Sequence, residues 1–337
     1  MLWLFAVSLF MTIVRRVRHG PARPSWTLQF ECIVSLLRRD WETTRRWSFQ
    51  RLRADLDRRP YPLGFVRQVV RVPETIGGVP GEWFVPKDAG DRALLFLHGG
   101  SYIVGSTRTH ADLIARLAIA TRVRAFAPNY RLAPEHPYPA ALDDALAVLD
   151  GMSKTIPLER IVVIGDSSGG NLALVLQLAR RDRALPQAAA VALISPWLDL
   201  SASRPSCCAN DSVDYGSREM LLGHAQAFAA GVALDDPRVS PIGAPLAGLA
   251  PLFVQVGDAE RLRDEGLELV DRARAAGVHV TLDVLRDMPH NGPILAAYHP
   301  EAARAVDRIA AFALQVFVPD CHSTLKPMYS ISLKSEE

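Results

Sequence analysis

Between residues 66 and 316 short apolar runs alternate with longer stretches whose apolar residues recur every three or four positions. The short runs at 66–72, 82–85, 93–97, 123–127, 160–164, 189–195, 251–256 and 279–285 are expected strands. The periodic stretches at 109–121, 139–152, 168–182, 262–276 and 300–316 are expected helices. Regular alternation of this kind is the pattern of a mostly parallel sheet flanked by helices, so one eight-stranded α/β domain is expected over residues 65–317.

Three segments break the alternation. Residues 25–59 place Leu28, Cys32, Leu36, Leu37, Trp41, Trp47, Leu52 and Leu56 among charged neighbours, which predicts one or two amphipathic helices. Residues 199–240 carry a polar, cysteine-bearing loop and a helical run from Arg218 to Ala230, and are expected to be an insertion that helps form a cap. Residues 318–337 lose the apolar period and gain Ser, Lys and Pro, the composition of a disordered tail. No internal repeat is visible.

The first fourteen residues, MLWLFAVSLFMTIV, are almost all apolar, and Arg15, Arg16 and Arg18 follow at once. That run is short for a membrane span and lacks the basic start and small-residue cleavage site of a signal peptide. Two readings stay open: an anchor lying at the membrane surface over residues 1–18, or a cap helix packed over an apolar pocket. With the helices after it, this segment makes an N-terminal unit of residues 1–64.

Charge sharpens the division. The chain carries a formal net charge of +2, yet residues 15–67 hold thirteen Arg, no Lys and only five acids. Basic segments serve nucleic acid or anionic lipid, but here no aromatic-interleaved platform or zinc spacing accompanies the arginines, so nucleic acid is not an expected partner. The four cysteines, Cys32, Cys207, Cys208 and Cys321, have no metal-binding spacing and read as free thiols of a reducing, cytoplasmic compartment.

The chemistry concentrates in three places. After the apolar run Ile161 to Ile164 comes Gly165-Asp166-Ser167-Ser168-Gly169-Gly170-Asn171 and then a helical run. In a strand–turn–helix context a G-x-S-x-G sequence makes a strained elbow that presents its serine at the sheet edge, here Ser167. Ser168 is the expected helix cap. Upstream, the strand Ala93 to Leu97 ends in His98-Gly99-Gly100-Ser101-Tyr102, where glycines let backbone amides approach an oxyanion. The amides of Gly100, Ser101 and Ser168 are the expected oxyanion hole, with His98 and Gly99 supporting the loop. If the chain order is serine, acid, histidine, the base is His290, in a loop just past the last strand, and the acid lies near position 260. Asp258, Glu260 and Asp264 are the candidates. His299, at a helix start, is expected to be a surface or capping residue.

Taken together, HGGSYIVGS, NYRLAPEHPYPAALDD, GDSSGGN, SPWLDLS, AERLRDEG and AGVHVTLDVLRDMPH resemble the hormone-sensitive-lipase-like family of bacterial carboxylesterases over about residues 65–316. The resemblance implies the α/β-hydrolase fold with a helical cap. It also implies hydrolysis of short- to medium-chain esters as small-molecule substrates, without metal or cofactor. Its acid position, two residues before Leu262, falls on Glu260, and Asp264 then belongs to the following helix. Three residues depart from the family pattern: Ser101 for glycine, Ser168 for alanine and Glu260 for aspartate. The first two keep their backbone N–H, while the third keeps a carboxylate on a longer stem. An amidase or lactonase using the same residues, a non-catalytic receptor on the same fold, and a homo-oligomer stay open.

Overall fold

The computed structural model describes residues 2–317, so the expected tail at 318–337 and Cys321 lie outside the described residues. The strands are β1 (Val69–Ile76), β2 (Val79–Pro86), β3 (Ala93–Leu97), β4 (Arg124–Pro128), β5 (Ile161–Asp166), β6 (Ala190–Ile194), β7 (Leu252–Gly257) and β8 (Val280–Leu285). They form one sheet in the order β1-β2-β4-β3-β5-β6-β7-β8. Only the β1–β2 and β2–β4 pairings are antiparallel. The helices are α1 (Leu2–His19), α2 (Leu28–Thr44), α3 (Phe49–Arg58), α4 (Ala111–Thr121), α5 (Ala140–Ser153), α6 (Ser168–Asp182), α7 (Ser206–Ala209), α8 (Arg218–Ala229), α9 (Arg263–Ala275) and α10 (Pro300–Val316).

The continuous apolar strands are buried on both faces because successive side chains point to opposite sides. Leu95, Leu97, Val163, Leu193 and Val254 pack with residues of α5, α6 and α9. Their neighbours Leu94, Phe96, Val162, Ile164 and Phe253 pack with residues of α4 and α10. The expected eight-stranded α/β architecture is therefore observed, with one shift of register at its edge. The run 66–72 was expected to be strand throughout, but Val66–Gln68 is a 3-10 turn and β1 runs on to Ile76. The cause is a two-residue hairpin: Gly77 and Gly78 both take positive φ, +61° and +83°, and pair Ile76 with Val79. That turn, rather than the apolar run, sets where β1 lies.

Residues 25–59 form two helices, each begun by a side-chain cap. Thr27 accepts from the Phe30 amide at 3.1 Å, and Ser48 accepts from the Arg51 amide at 3.3 Å. A small third core joins Trp26, Phe30 and Val34 to Leu285, Met288, Leu295, Ala302 and Ala305. It fastens α2 to the loop after β8. The backbone of Ser25 donates to Asp287 Oδ2 at 3.1 Å, and the Trp26 indole donates to the Asp287 carbonyl.

The hairpin gives a paired test. An added Cβ at Gly77 would run into the Ala147 carbonyl, whereas at Gly78 it would meet open space. Gly78→Ala should cost about 1–2 kcal/mol, the left-handed backbone penalty. Gly77→Ala should cost about 1–3 kcal/mol more, from overpacking. Urea midpoints of the two variants measure the difference, and equal losses would contradict the assigned turn.

Candidate active site

Ser167 sits between β5 and α6 with φ +54° and ψ −118°, a conformation that non-glycine residues seldom adopt. Close packing enforces it. A Cβ at Gly165 would strike the Gly169 carbonyl, one at Gly169 would strike the Leu97 carbonyl, and one at Gly170 would crowd Pro196. The Ser167 amide donates to the Ile194 carbonyl at 2.8 Å, and its own carbonyl accepts from the Trp197 amide at 3.0 Å. These three close approaches and two hydrogen bonds hold the serine at the carboxyl edge of the sheet.

The neighbouring residue, Asp166, is fully buried and joins three segments. Its Oδ1 accepts from the Gly99 amide at 2.9 Å, and its Oδ2 accepts from Asn291 Nδ2 at 2.7 Å. His110 Nε2 lies 3.2 Å from the same Oδ2. Burial alone would push this carboxyl up, but His110, His98 and the Gly99 amide outweigh it and hold it below the usual carboxylate range.

The glycine turn after β3 takes positive φ at Gly100 (+122°), Ser101 (+56°) and Tyr102 (+63°), and closes with the Val104 amide donating to the Gly100 carbonyl at 2.9 Å. Among the described residues, the amides of Gly100, Ser101 and Ser168 donate to no protein acceptor. His98 stacks on Tyr130 at 4.2 Å between ring centres, and its Nδ1 sits 2.9 Å from the Gly99 carbonyl. Burial lowers its imidazole to about 4, so it is neutral and serves as a brace. Ser168 does not cap α6 as expected: its hydroxyl turns away from the helix and accepts from the Tyr102 amide at 3.2 Å. The hydroxyl that replaces the family's alanine methyl thus ties the elbow to the glycine turn.

Behind His290 stands Glu260, fully buried, with Oε2 3.6 Å from His290 Nδ1. That is an ion-pair distance, and it leaves Nδ1 and Glu260 Oε1 without hydrogen-bond partners. The Ser195 hydroxyl donates to Glu260 Oε2 and accepts from the Asn291 amide at 2.9 Å. Burial raises the Glu260 carboxyl above its ordinary value despite His290 and Ser195. For His290 burial pulls downward, but Glu260, Asp214 and Asp166 together hold it above the ordinary 6.5. Asp258, the rival acid, accepts from the Asp287 amide at 2.7 Å and pins the turn that leads to the histidine. Asp264 lies in the first turn of α9, where its carboxylate accepts from the Ser206 amide at 2.8 Å. His299 caps α10, with Nδ1 accepting from the Glu301 amide at 3.1 Å.

Two residues of the 199–240 segment clamp the histidine. Asp214, fully buried, accepts from the His290 and Arg261 amides, both at 2.8 Å, and from its neighbour's amide at 2.9 Å. Tyr215 donates its hydroxyl to the His290 carbonyl at 2.7 Å. Neither was foreseen, since nothing in the local sequence marks an insertion loop as a support. Asp166, Ser195 and Asn291 were also missed as supports, although each adjoins or lies within a quoted motif.

Ser167, His290, Gly99, Gly100 and Ser101 all line one cavity of about 790 Å³. Its other walls come from Phe5 and Leu9 of α1, Leu36, Leu37 and Trp41 of α2, Leu52 and Leu56 of α3, and Tyr215, Met220 and Leu221. A serine on a strained strand-to-helix elbow, sharing one cavity with a histidine from the loop after the last strand, is the arrangement of an α/β hydrolase.

Comparison with known proteins narrows the class. The family model of the α/β-hydrolase fold matches residues 94–293. An acetyl-hydrolase of Streptomyces hygroscopicus is 34% identical over 294 residues, covering 84% of this chain and 95% of that protein. An esterase of Acinetobacter venetianus is 33% identical over 250 residues, covering 72% of this chain and 80% of its own. A solved esterase from the bacterial hormone-sensitive lipase family superposes with a TM-score of 0.74 at 32% identity, covering 93% of this chain and 98% of that one. The chain belongs to the α/β-hydrolase family, in its hormone-sensitive-lipase-like group, and is a carboxylic ester hydrolase.

The clamp is testable through stability. Asp214→Ala leaves three backbone donors without their acceptor and should cost about 3 kcal/mol, whereas Tyr215→Phe removes one bond and should cost about 1 kcal/mol. Denaturant titration of both variants checks the order, and a near-neutral Asp214→Ala would remove the clamp.

Proposed function

We propose that the protein hydrolyses short- to medium-chain carboxylic esters through an acyl-enzyme, with Ser167 as nucleophile, His290 as base and Glu260 as the acid that orients it. The observation that carries this reading is the convergence of Ser167 and His290 on one apolar-walled cavity, with the buried carboxylate of Glu260 3.6 Å behind the imidazole. His290 takes the Ser167 proton as Oγ adds to the ester carbonyl. The free amides of Gly100, Ser101 and Ser168 stabilise the oxyanion, and the helix dipole of α6 adds to them. His290 then protonates the leaving alcohol. In the second half it activates a water, which releases the acid and returns Oγ to its starting state.

Glu260 is preferred to Asp258 because Asp258 already serves the Asp287 amide, and because Glu260 faces Nδ1 through a methylene longer than that of aspartate. Helices α1 to α3 and the 199–240 segment act as the cap, and their Leu and Trp side chains form an acyl pocket within the size range of small-molecule sites.

Ser167→Ala should abolish turnover of an activated acetyl ester and block organophosphate labelling while the fold persists; substantial residual activity would overturn the assignment. Glu260→Gln should lower turnover by about 10⁴-fold through the wrong imidazole tautomer, and Asp258→Asn only slightly. The reverse pattern would move the acid to Asp258.

The pH profile gives a separate check. The base works only when neutral, and its pKa lies above 6.5, so kcat/KM should fall as pH drops through a value higher than that of free imidazole. Glu260→Gln removes the nearest carboxylate and should move this acid limb downward. An unshifted limb would argue against the pair.

A further inference from the structure

Helix α1 is built inside out. Ser8 and Thr12 are its most buried residues, at 0% and 4% exposure, and Ser8 Oγ has no hydrogen-bond partner among the described residues. The opposite face carries Trp3, Phe10, Ile13 and Val17, exposed at 73%, 64%, 42% and 82%. Their spacings of seven, three and four residues keep one helical face, so they form one stripe along a helix about 27 Å long. A helix serving only as a wall of the molecule would put this stripe inward and the hydroxyls outward.

Two arguments identify what meets the stripe. The first is charge. Just past Val17 the exposed Arg18 and His19 continue the surface. Other arginines of the N-terminal unit are already paired: Glu31 accepts from Arg15 Nε at 2.9 Å and from Arg16 at 3.1 Å, and Arg38, Arg45, Arg53 and Arg59 pair with Asp211, Glu219, Glu135 and Asp40, so the charge argument rests on the end of α1 itself. Pairing α1 with the α1 of a second copy would set two basic segments against each other, whereas an anionic surface complements them. The second argument is continuity. Phe5 and Leu9 of the same helix line the cavity that holds Ser167, so the stripe and the cavity share one element.

We propose that α1 lies in the plane of an anionic lipid–water interface, its stripe in the acyl boundary, so that apolar esters enter the cavity from the lipid. No described helix is long and apolar enough to cross a membrane, which fits a helix lying along the surface. Binding rests on the stripe and on the basic end of α1, and only the delivery of substrate rests on the proposed esterase site.

The test uses the full chain in flotation with vesicles of phosphatidylglycerol and phosphatidylcholine, or of phosphatidylcholine alone. Wild type should float with the anionic vesicles about tenfold better than with the neutral ones, and salt should weaken the difference. Phe10→Glu and Val17→Glu, whose side chains do not line the cavity, should each reduce flotation about tenfold. Both should turn over a dissolved acetyl ester within about twofold of wild type, which reads the fold and the site separately, while losing activity on an ester embedded in anionic vesicles. Failure of wild type to float, or equal flotation of the variants, would overturn the proposal. So would a wild-type dimer in light scattering that Phe10→Glu converts to monomer, which would assign the stripe to a second copy.

Discussion

One buried carboxylate governs the geometry of this site. Asp166 stands immediately before the elbow and holds the Gly99 amide at the end of β3, His110 ahead of α4, and the Asn291 side chain in the loop after β8. A charge that deep is tolerable only when hydrogen bonds replace lost water, and each of those bonds is a positional constraint on a different segment. The glycine turn, the serine and the histidine loop are therefore placed relative to one another by a group that itself does no chemistry. The steric interlock of Gly165, Gly169 and Gly170 completes the constraint from the backbone side.

The proposed acid and base extend the same logic. Burial opposes charge on Glu260 and on His290 alike; their mutual attraction offsets part of that penalty for the carboxyl, and with Asp214 and Asp166 nearby it outweighs the penalty for the imidazole. Ser195 fixes one oxygen of Glu260 and receives the Asn291 amide, so acid and histidine loop share a hydroxyl. The longer glutamate stem needs such a fixture, because an extra rotatable bond would otherwise widen the range of carboxylate positions. Substituting glutamate for aspartate in this family pattern is thus accompanied by a local restraint.

The outer helices are not merely a cover. Asp214 and Tyr215 grip the backbone of His290 from one side, and Trp26 grips Asp287 from the other. Displacement of these segments would strain the loop that carries His290. In α1 the burial of Ser8 and Thr12 leaves Trp3, Phe10, Ile13 and Val17 facing outward as one apolar stripe.

The order of strands and helices, the elbow serine, the glycine turn and the histidine after the last strand were all legible in the chain, because each rests on local patterning: periodicity, tight-turn glycines and chain order. Periodicity could not place β1, whose register comes from the Gly77-Gly78 turn. It misread the Ser168 hydroxyl as a cap, because the partner that claims it, the Tyr102 amide, lies 66 residues away. Nor could it choose between Asp258 and Glu260, two residues apart, without knowing that the Asp287 amide occupies the first. Asp214, Ser195 and Asn291 were invisible as supports for the same reason: their partners are distant in sequence, and long-range hydrogen bonds leave no periodic trace. Sequence alone determined the fold and which side chains could react. The family resemblance had already pointed to Glu260; only tertiary packing decided what holds it behind the imidazole, and that α1 turns its apolar stripe to the outside.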